Sequence, residues 1–253
     1  MPDFVLNEME IGYVNLDSRP DRLEHIEREL ARVQLSGTRQ RGMLPSEYRG
    51  DPSLVEVMRN RTPGAIGCHY SQREIICRGI RSGSNVMVLE DDAVFCNDLH
   101  ERAETIRSFL SGRQWDVFSL GATFHVNPPV WHKDDLGRDV ECTEHPNIMR
   151  TYGIWSTYAW VINGDSAQKI VNLLDAHVKT SIGIDYLMIQ IQPQLQCYCF
   201  VPGCAKQMDS RSDIGTGVTY FSHFDKLGPY WWQRRAADFD PSTFNWAEAK
   251  HAS

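Results

Sequence analysis

Three consecutive acidic residues, Glu90, Asp91 and Asp92, are the side chains in this sequence whose type and spacing best suit chemistry. They follow the apolar run 86–89, which predicts a strand buried on both faces. Core packing does not explain three adjacent carboxylates, because they repel one another, whereas ligands of open α/β sheets bind at the carboxyl ends of strands. If the chain stays extended, Glu90 and Asp92 project to one side, and such a pair suits a hard divalent cation.

A cation held there would bridge the two phosphates of a nucleotide sugar and stabilise the charge that develops on the departing diphosphate. The alternative is a solvated acidic turn in which Asp92 caps a following helix. The acidic triplet by itself leaves both interpretations open.

Apolar runs alternate with amphipathic segments along the chain, which indicates an α/β fold. Strands are predicted at 11–16, 86–89, 117–120, 158–162 and 194–201, and the segment 182–191 is ambiguous between strand and helix. Helices are predicted after the turn at 17–20, from Pro63 to Gly83, around 99–110 and after Asp165, with Ser18 and Asp165 as caps. Residues 36–61 and 122–150 are expected to be irregular. The simplest organisation is one domain over 1–253, with a catalytic core of about 11–225 and a C-terminal extension, 226–253.

Composition excludes several classes of protein. The 253 residues carry a formal net charge of -7 and no basic stripe, which argues against a nucleic-acid partner. The seven cysteines form no CxxC pair, so neither a structural zinc site nor a disulfide framework is indicated. We find no secretory signal and no run long enough for a membrane span, and therefore expect a cytoplasmic protein.

Four segments, in their order and spacing, resemble glycosyltransferase family 25, which includes lipooligosaccharide and collagen galactosyltransferases. They are 14–22 (VNLDSRPDR), 64–71 (GAIGCHYS), 88–93 (VLEDDA), and Pro202 with Gln207 and 212–214 (SDI). The likeness extends over about 11–214. It departs from the family pattern at Gln72, where histidine is usual, and this puts in doubt a donor contact at that position.

This resemblance implies a GT-A fold, a Rossmann-like sheet with a mixed strand near the acceptor side. It also implies a UDP-sugar donor, most often UDP-galactose, a manganese ion on Asp92 and Glu90, and inversion at the anomeric carbon. The acceptor would be a hydroxyl of a glycan, a lipooligosaccharide or a protein. Inversion needs a base, and the family's aspartate in a similar apolar setting matches Asp185; Asp213 is the fallback. A helix cap is the competing interpretation of Asp185.

Further donor contacts are expected from side chains near the first and second motifs. Arg19 and Arg22 can reach the uracil or phosphates, Asn15 can pair with the base, and His69 and Ser71 lie where a helix would begin. The arginines can equally be solvated, and His69 falls on the apolar stripe of its helix, as a core histidine would. Glu90 and Asp91 complete the expected donor site.

Two expectations concern the end of the chain. His223 can complete the metal coordination, although a lone histidine among aromatic residues is more often structural. The segment 230–235 (YWWQRR) can stack on a sugar, contact a membrane surface beside a lipid-linked acceptor, or simply pack.

Two other functions compete with sugar transfer. A sugar nucleotidyltransferase would share an α/β core and a divalent metal, but it predicts a glycine-rich, basic loop after the first strand, and residues 16–22 contain no glycine. A catalytically silent carbohydrate- or partner-binding module would be favoured by an eroded acidic motif, yet all three carboxylates are present.

Overall fold

A computed structural model describes residues 2–51, 63–121, 140–155, 157–178, 183–201, 203–208 and 213. The described residues form a mixed eight-stranded sheet with helices on both faces, and a separate two-stranded sheet. This confirms the α/β class predicted from the alternating strands and helices.

The strands, in chain order, are β1 (Glu10–Asn15), β2 (Thr38–Arg41), β3 (Val86–Glu90), β4 (Ala93–Phe95), β5 (Val117–Ser119), β6 (Val140–Cys142), β7 (Ile148–Thr151), β8 (Ala159–Ile162), β9 (Cys197–Phe200) and β10 (Ala205–Gln207). The helices are α1 (Pro20–Arg32), α2 (Pro63–Ser82), α3 (Leu99–Leu110), α4 (Ala167–His177) and α5 (Ile184–Ile191).

The main sheet has the strand order β2-β1-β3-β8-β5-β9-β7-β6. Strands β2, β1 and β3 are parallel to one another, and β8 runs antiparallel between β3 and β5. The small sheet pairs β10 with β4 in an antiparallel arrangement. The carboxyl ends of β1 and β3 therefore meet the beginning of β8 at one edge of the sheet.

Alternate residues of β3 face two hydrophobic clusters, as the two-residue period of a strand requires. Met87 and Leu89 belong to the cluster that contains apolar residues of α1 and α3. Val86 and Val88 belong to the cluster that contains apolar residues of α2, α4 and α5. Because β3 is covered on both faces, only its carboxyl end is available to a ligand.

Several predictions are confirmed and others are corrected. Strands β1, β3, β5, β8 and β9 and helices α1 to α4 lie where they were predicted, and Gly83 follows α2 with a φ of 69°. The ambiguous segment forms α5. Strand β2 lies in a segment expected to be irregular, as do β6 and β7. Arg19 rather than Ser18 precedes α1, and α4 begins after Ser166 rather than Asp165.

Helix α2 approaches the loop after β2 closely. A Cβ atom added at Gly67 would lie 2.1 Å from the carbonyl oxygen of Met43. Ser71, one turn further along α2, accepts a hydrogen bond from the Met43 amide at 2.9 Å and donates one to the Gly67 carbonyl at 2.6 Å. Only glycine fits this contact.

None of the helices in the described part of the chain is both long and apolar enough to cross a membrane.

Candidate active site

The acidic triplet lies where β3 ends and a turn leads into β4. Glu90 is the last residue of β3, and it pairs in register with Val14 of β1, so the next residues, Asp91 and Asn15, are neighbours. Asn15 donates a hydrogen bond from Nδ2 to Asp91 Oδ2 at 2.8 Å. The parallel pairing of two strands thus brings together residues that are 76 positions apart.

Asp91 is held by protein donors. Arg22, in the first turns of α1, donates from Nη1 to Asp91 Oδ1 at 2.9 Å, and both side chains are buried. The same nitrogen lies 3.3 Å from Asp92 Oδ2. Arg39 donates from Nε to Asn15 Oδ1 at 3.0 Å. In this arrangement Asn15 and Arg22, both expected to contact the donor, instead hold Asp91 in place.

Glu90 and Asp92 share one neighbour on the other side of the turn. The side-chain nitrogen Nε2 of Gln207 lies 3.3 Å from Glu90 Oε2 and 3.5 Å from Asp92 Oδ1. The pairing of β10 with β4 places Gln207 opposite Ala93, and the Met208 amide donates to the Asp92 carbonyl at 2.7 Å. The two carboxylates of the expected cation pair therefore face a common point, while Asp91 points toward α1.

The charge of this pair is poorly compensated. Loss of hydration raises the pKa of Glu90 well above its ordinary value, and the nearby Asp92, Asp185 and Asp91 raise it further. Burial likewise raises the pKa of Asp92, which is 4% exposed, to about 6, although Arg22 opposes the shift. Among the described residues, Arg22 pairs with Asp91 and Asp92, and one guanidinium does not balance three adjacent carboxylates in a site of low dielectric.

Oxygen ligands and excess negative charge fit a hard divalent cation. The described residues contain no cluster of three or more His, Cys, Asp or Glu side chains that could hold a metal ion. If a cation binds here, Glu90 and Asp92 would supply two of its ligands, and His223, expected as a third, lies outside the described residues.

Asp185 lies close enough to Glu90 to raise the pKa of that carboxyl. It is in the first turn of α5, whose N-cap is Gly183, so Asp185 is not the cap. Thr157 donates to Asp185 Oδ1 from its backbone amide at 3.0 Å and from its hydroxyl Oγ1 at 3.1 Å. The segment that leads into β8 therefore fixes the orientation of the Asp185 carboxylate.

Gln72 is a site residue whose role the sequence did not indicate. Its side chain is 0% exposed, and Nε2 donates to Glu90 Oε1 at 3.2 Å and to Thr157 Oγ1 at 3.3 Å. A polar residue on the apolar stripe of α2 was the available signal, because a buried amide requires hydrogen-bond partners.

Arg19 and Asp213 form an ion pair with each other, and Arg19 also donates to Asp21 at 2.8 and 3.0 Å. These hydrogen bonds raise the pKa of the Arg19 guanidinium. Asp213, the fallback base, is thus neutralised by an arginine, whereas Asp185 has hydroxyl and amide donors.

His69 and Ser71 are buried in the structure, and their expected role in donor binding stays a prediction. Backbone amides are free to bind anions only in the first turn of a helix. Helix α2 begins at Pro63, so both residues lie beyond that turn. His69 is 0% exposed, neither ring nitrogen has a hydrogen-bond partner among the described residues, and burial lowers its pKa to about 4. The alternative interpretation, a core histidine, describes it better.

The remaining expectations lie outside the described residues. They concern Pro202, Ser212, Ile214, the aromatic segment 230–235 and the C-terminal extension 226–253.

Comparison with family models and with curated proteins finds no match to this chain. Among solved structures, the glycosyltransferase GlyE of Streptococcus pneumoniae TIGR4 is similar, with 12% identity and a TM-score of 0.39 over 76% of this chain and 45% of GlyE. A glycosyltransferase involved in the glycosylation of the major capsid of PBCV-1 matches with 11% identity and a TM-score of 0.34, over 71% of this chain and 73% of that one. The inositol-1-phosphate CTP transferase from T. maritima matches with 11% identity and a TM-score of 0.39, over 80% of this chain and 71% of that one.

This chain thus spans less than half the length of GlyE. These distant likenesses carry no argument about activity, which has to be inferred from the side chains of the site. The site consists of a half-buried Glu90 and a buried Asp92 at the carboxyl end of β3, with Asp185 nearby.

Proposed function

We propose that this chain is a metal-dependent, inverting glycosyltransferase that moves a hexose from a UDP-sugar to a hydroxyl group of an acceptor. The observation that carries the proposal is that the carboxylates of Glu90 and Asp92 face a common point at the carboxyl end of β3. A protein that keeps such a cluster at a cost in stability commonly does so for function.

Asp92 and Glu90 would hold the cation, which when bound would supply Lewis acidity to the diphosphate of the donor. The side chains around the pair fit this role, because Arg22 contacts Asp92 through Oδ2 only, and Asp92 Oδ1 and Glu90 Oε2 face a common point at Gln207. The family resemblance supports manganese as the metal and galactose as the sugar.

Asp185 is the proposed base. Its carboxylate accepts the proton of the acceptor hydroxyl while that oxygen forms a bond to the anomeric carbon, and the bond to the UDP oxygen breaks on the opposite face. Thr157 donates two hydrogen bonds to Oδ1 and so fixes the carboxylate's orientation. Fixed orientation matters because an attacking group has to be held in a near-attack position.

The test is the release of UDP from UDP-galactose, UDP-glucose and their acetamido relatives, with manganese and with a chelator. We expect slow hydrolysis in manganese that Asp92→Ala abolishes. Turnover that is unchanged in Asp92→Ala would remove the metal role of this residue.

Two further measurements distinguish sugar transfer from the two competing functions. Formation of a sugar nucleotide from a nucleoside triphosphate and a sugar phosphate would identify a nucleotidyltransferase instead. Binding of UDP-sugars without any turnover, with lipooligosaccharide and protein acceptors present, would favour the silent binding module.

A further inference from the structure

We propose that Gln72 is a positioning residue that holds Glu90 and Asp185, the proposed cation ligand and the proposed base, in one hydrogen-bonded arrangement. The inference rests on the proposed function for the roles of those two carboxylates. The hydrogen bonds that connect them are observed independently of any activity.

The orientation of the Gln72 side chain is fixed by Trp160 on β8. The indole Nε1 donates to Gln72 Oε1 at 3.0 Å, and an indole nitrogen can only donate. The carbonyl oxygen of the amide therefore faces Trp160, and its NH2 group faces the opposite way. Both side chains are almost completely buried, so water cannot replace either partner in this hydrogen bond.

The NH2 group has two hydrogens and three acceptors within reach, of which the Cys68 sulfur, at 3.5 Å, is a weak one. Nε2 lies 3.2 Å from Glu90 Oε1 and 3.3 Å from Thr157 Oγ1. Because the Thr157 hydroxyl accepts from Gln72, its own hydrogen is available to Asp185 Oδ1, at 3.1 Å. The donor directions are thus consistent from the indole through the amide and the hydroxyl to the carboxylate.

The hydrogen bond from Gln72 determines which oxygen of Glu90 faces Asp92. Oε1 is occupied by Gln72, and Oε2 lies on the side of Gln207, where Asp92 also lies. Without the amide, the Glu90 carboxylate would lose the hydrogen bond to Oε1 and would keep the longer one from Gln207 to Oε2, which restrains its rotation less. Outer hydrogen bonds of this kind orient ligating carboxylates.

A carboxamide is well matched to this position. It offers an acceptor at one end and two donors at the other, whereas an imidazole has one nitrogen for each side and can serve only one of Glu90 and Thr157. Gln72 thus couples α2, β3 and β8 at the point where they meet the site. We infer that its role is to keep the proposed cation ligand, Glu90, and the proposed base, Asp185, in a fixed relative position.

The experiment compares Gln72→Met with Gln192→Met. Gln192 is also buried, and it exchanges hydrogen bonds with the backbone of Ile154 at 2.7 and 3.1 Å, which makes it a control for the loss of a buried amide. Manganese affinity is measured with manganese chloride alone, by electron paramagnetic resonance, and transfer is measured as kcat and KM for the donor. Gln72→Met should weaken manganese binding by about tenfold and lower kcat by about 10- to 100-fold, whereas Gln192→Met should change only the melting temperature.

The Thr157 variants test the second arm and do not depend on the folding of Gln72→Met. Thr157→Val should keep manganese affinity within about twofold of wild type and lower kcat by about tenfold, and Thr157→Ser should restore most of kcat. A wild-type kcat in Thr157→Val, or equal effects of the two glutamine substitutions on metal affinity and kcat, would overturn the inference.

Failure of the proposed function gives a different result. If wild-type protein binds manganese in a manner sensitive to Gln72→Met but transfers no sugar, the function is wrong and the link to Glu90 stands. If wild-type protein binds no manganese, Gln72 has no cation ligand to position and both proposals are overturned.

Discussion

Replacing Asp92 by asparagine should stabilise the metal-free protein at neutral pH. Burial raises the pKa of Asp92 from 3.8 to about 6, so the ionised carboxylate is less favourable in the folded chain than in the unfolded one. A difference of about two pKa units corresponds to roughly 3 kcal/mol at a pH well above both values. Asparagine has almost the same shape and no charge, and we expect Asp92→Asn to recover about 1–3 kcal/mol at pH 7.5.

The gain should depend on pH in a defined direction. The folded state binds the Asp92 proton more tightly than the unfolded state, so the wild-type carboxyl costs nothing below about pH 4 and its penalty grows as pH rises through about 6. His69 has the opposite effect, because its lowered pKa makes the folded state lose stability as pH falls from about 6.5 toward 4. The quantity to follow is therefore the difference between variant and wild type, in which His69 cancels.

The assay is urea unfolding of both proteins in chelator at several values between pH 4.5 and pH 8, with the midpoint and slope fitted together. The difference in unfolding free energy should be smallest at pH 4.5, at about one third of its full value, and largest at the alkaline end. Manganese should reverse the order at pH 7.5, since binding to the folded state stabilises wild type more. An Asp92→Asn protein that is less stable than wild type at pH 7.5, with no dependence on pH, would refute this account of the charge.

Three further predictions concern other residues. Asp185→Asn should bind UDP-sugar and manganese as wild type does and lose transfer by at least about 100-fold in a UDP-release assay, because its amide cannot accept the acceptor proton; surviving transfer would place the base elsewhere. His69→Leu should raise the free energy of unfolding by about 1–2 kcal/mol at pH 7, since it removes an unpaired buried polar group, and the gain should grow toward pH 4.5 in urea titrations; a constant gain would argue against the lowered pKa. Gly67→Ala should lower stability by about 1–3 kcal/mol through its contact with Met43, measured as the shift of the urea midpoint, and an unchanged midpoint would mean that the loop yields freely.

The elements that position the site were predictable because their sequences are locally consistent. The apolar run before Glu90 is long enough for one strand and is followed by charged residues. This pattern predicted both β3 and the position of the acidic pair at its carboxyl end. Asp185 was reached through resemblance alone, because an aspartate two residues after a glycine has no distinctive local pattern. Strand β2 was missed because its four residues, 38–41, are all polar and lie at the edge of the sheet.

The contacts inside the site depend on pairings that are far apart in the chain. Gln207 reaches Glu90 and Asp92 only because β10 pairs with β4, more than 100 residues away. Gln72 finds partners 18 and 88 residues away, on β3 and β8. Such separations are set by tertiary packing, and neither period nor composition encodes them. The departure at Gln72 was visible in the sequence, but its meaning required the position of Trp160.

The antiparallel direction of β8 divides the site between two separate stretches of chain. Strands β1 and β3 have their carboxyl ends at the site, whereas β8 has its amino end there. Thr157 lies two residues before β8. Asn15 and Arg22, which hold Asp91, come from the first third of the chain, and Asp185 with its Thr157 donors comes from the second half. Natural variation in the segment leading to Thr157 can therefore reshape the surroundings of Asp185 while the hydrogen bonds between β1 and β3 stay intact, so that one half of the site can diversify while the other is conserved.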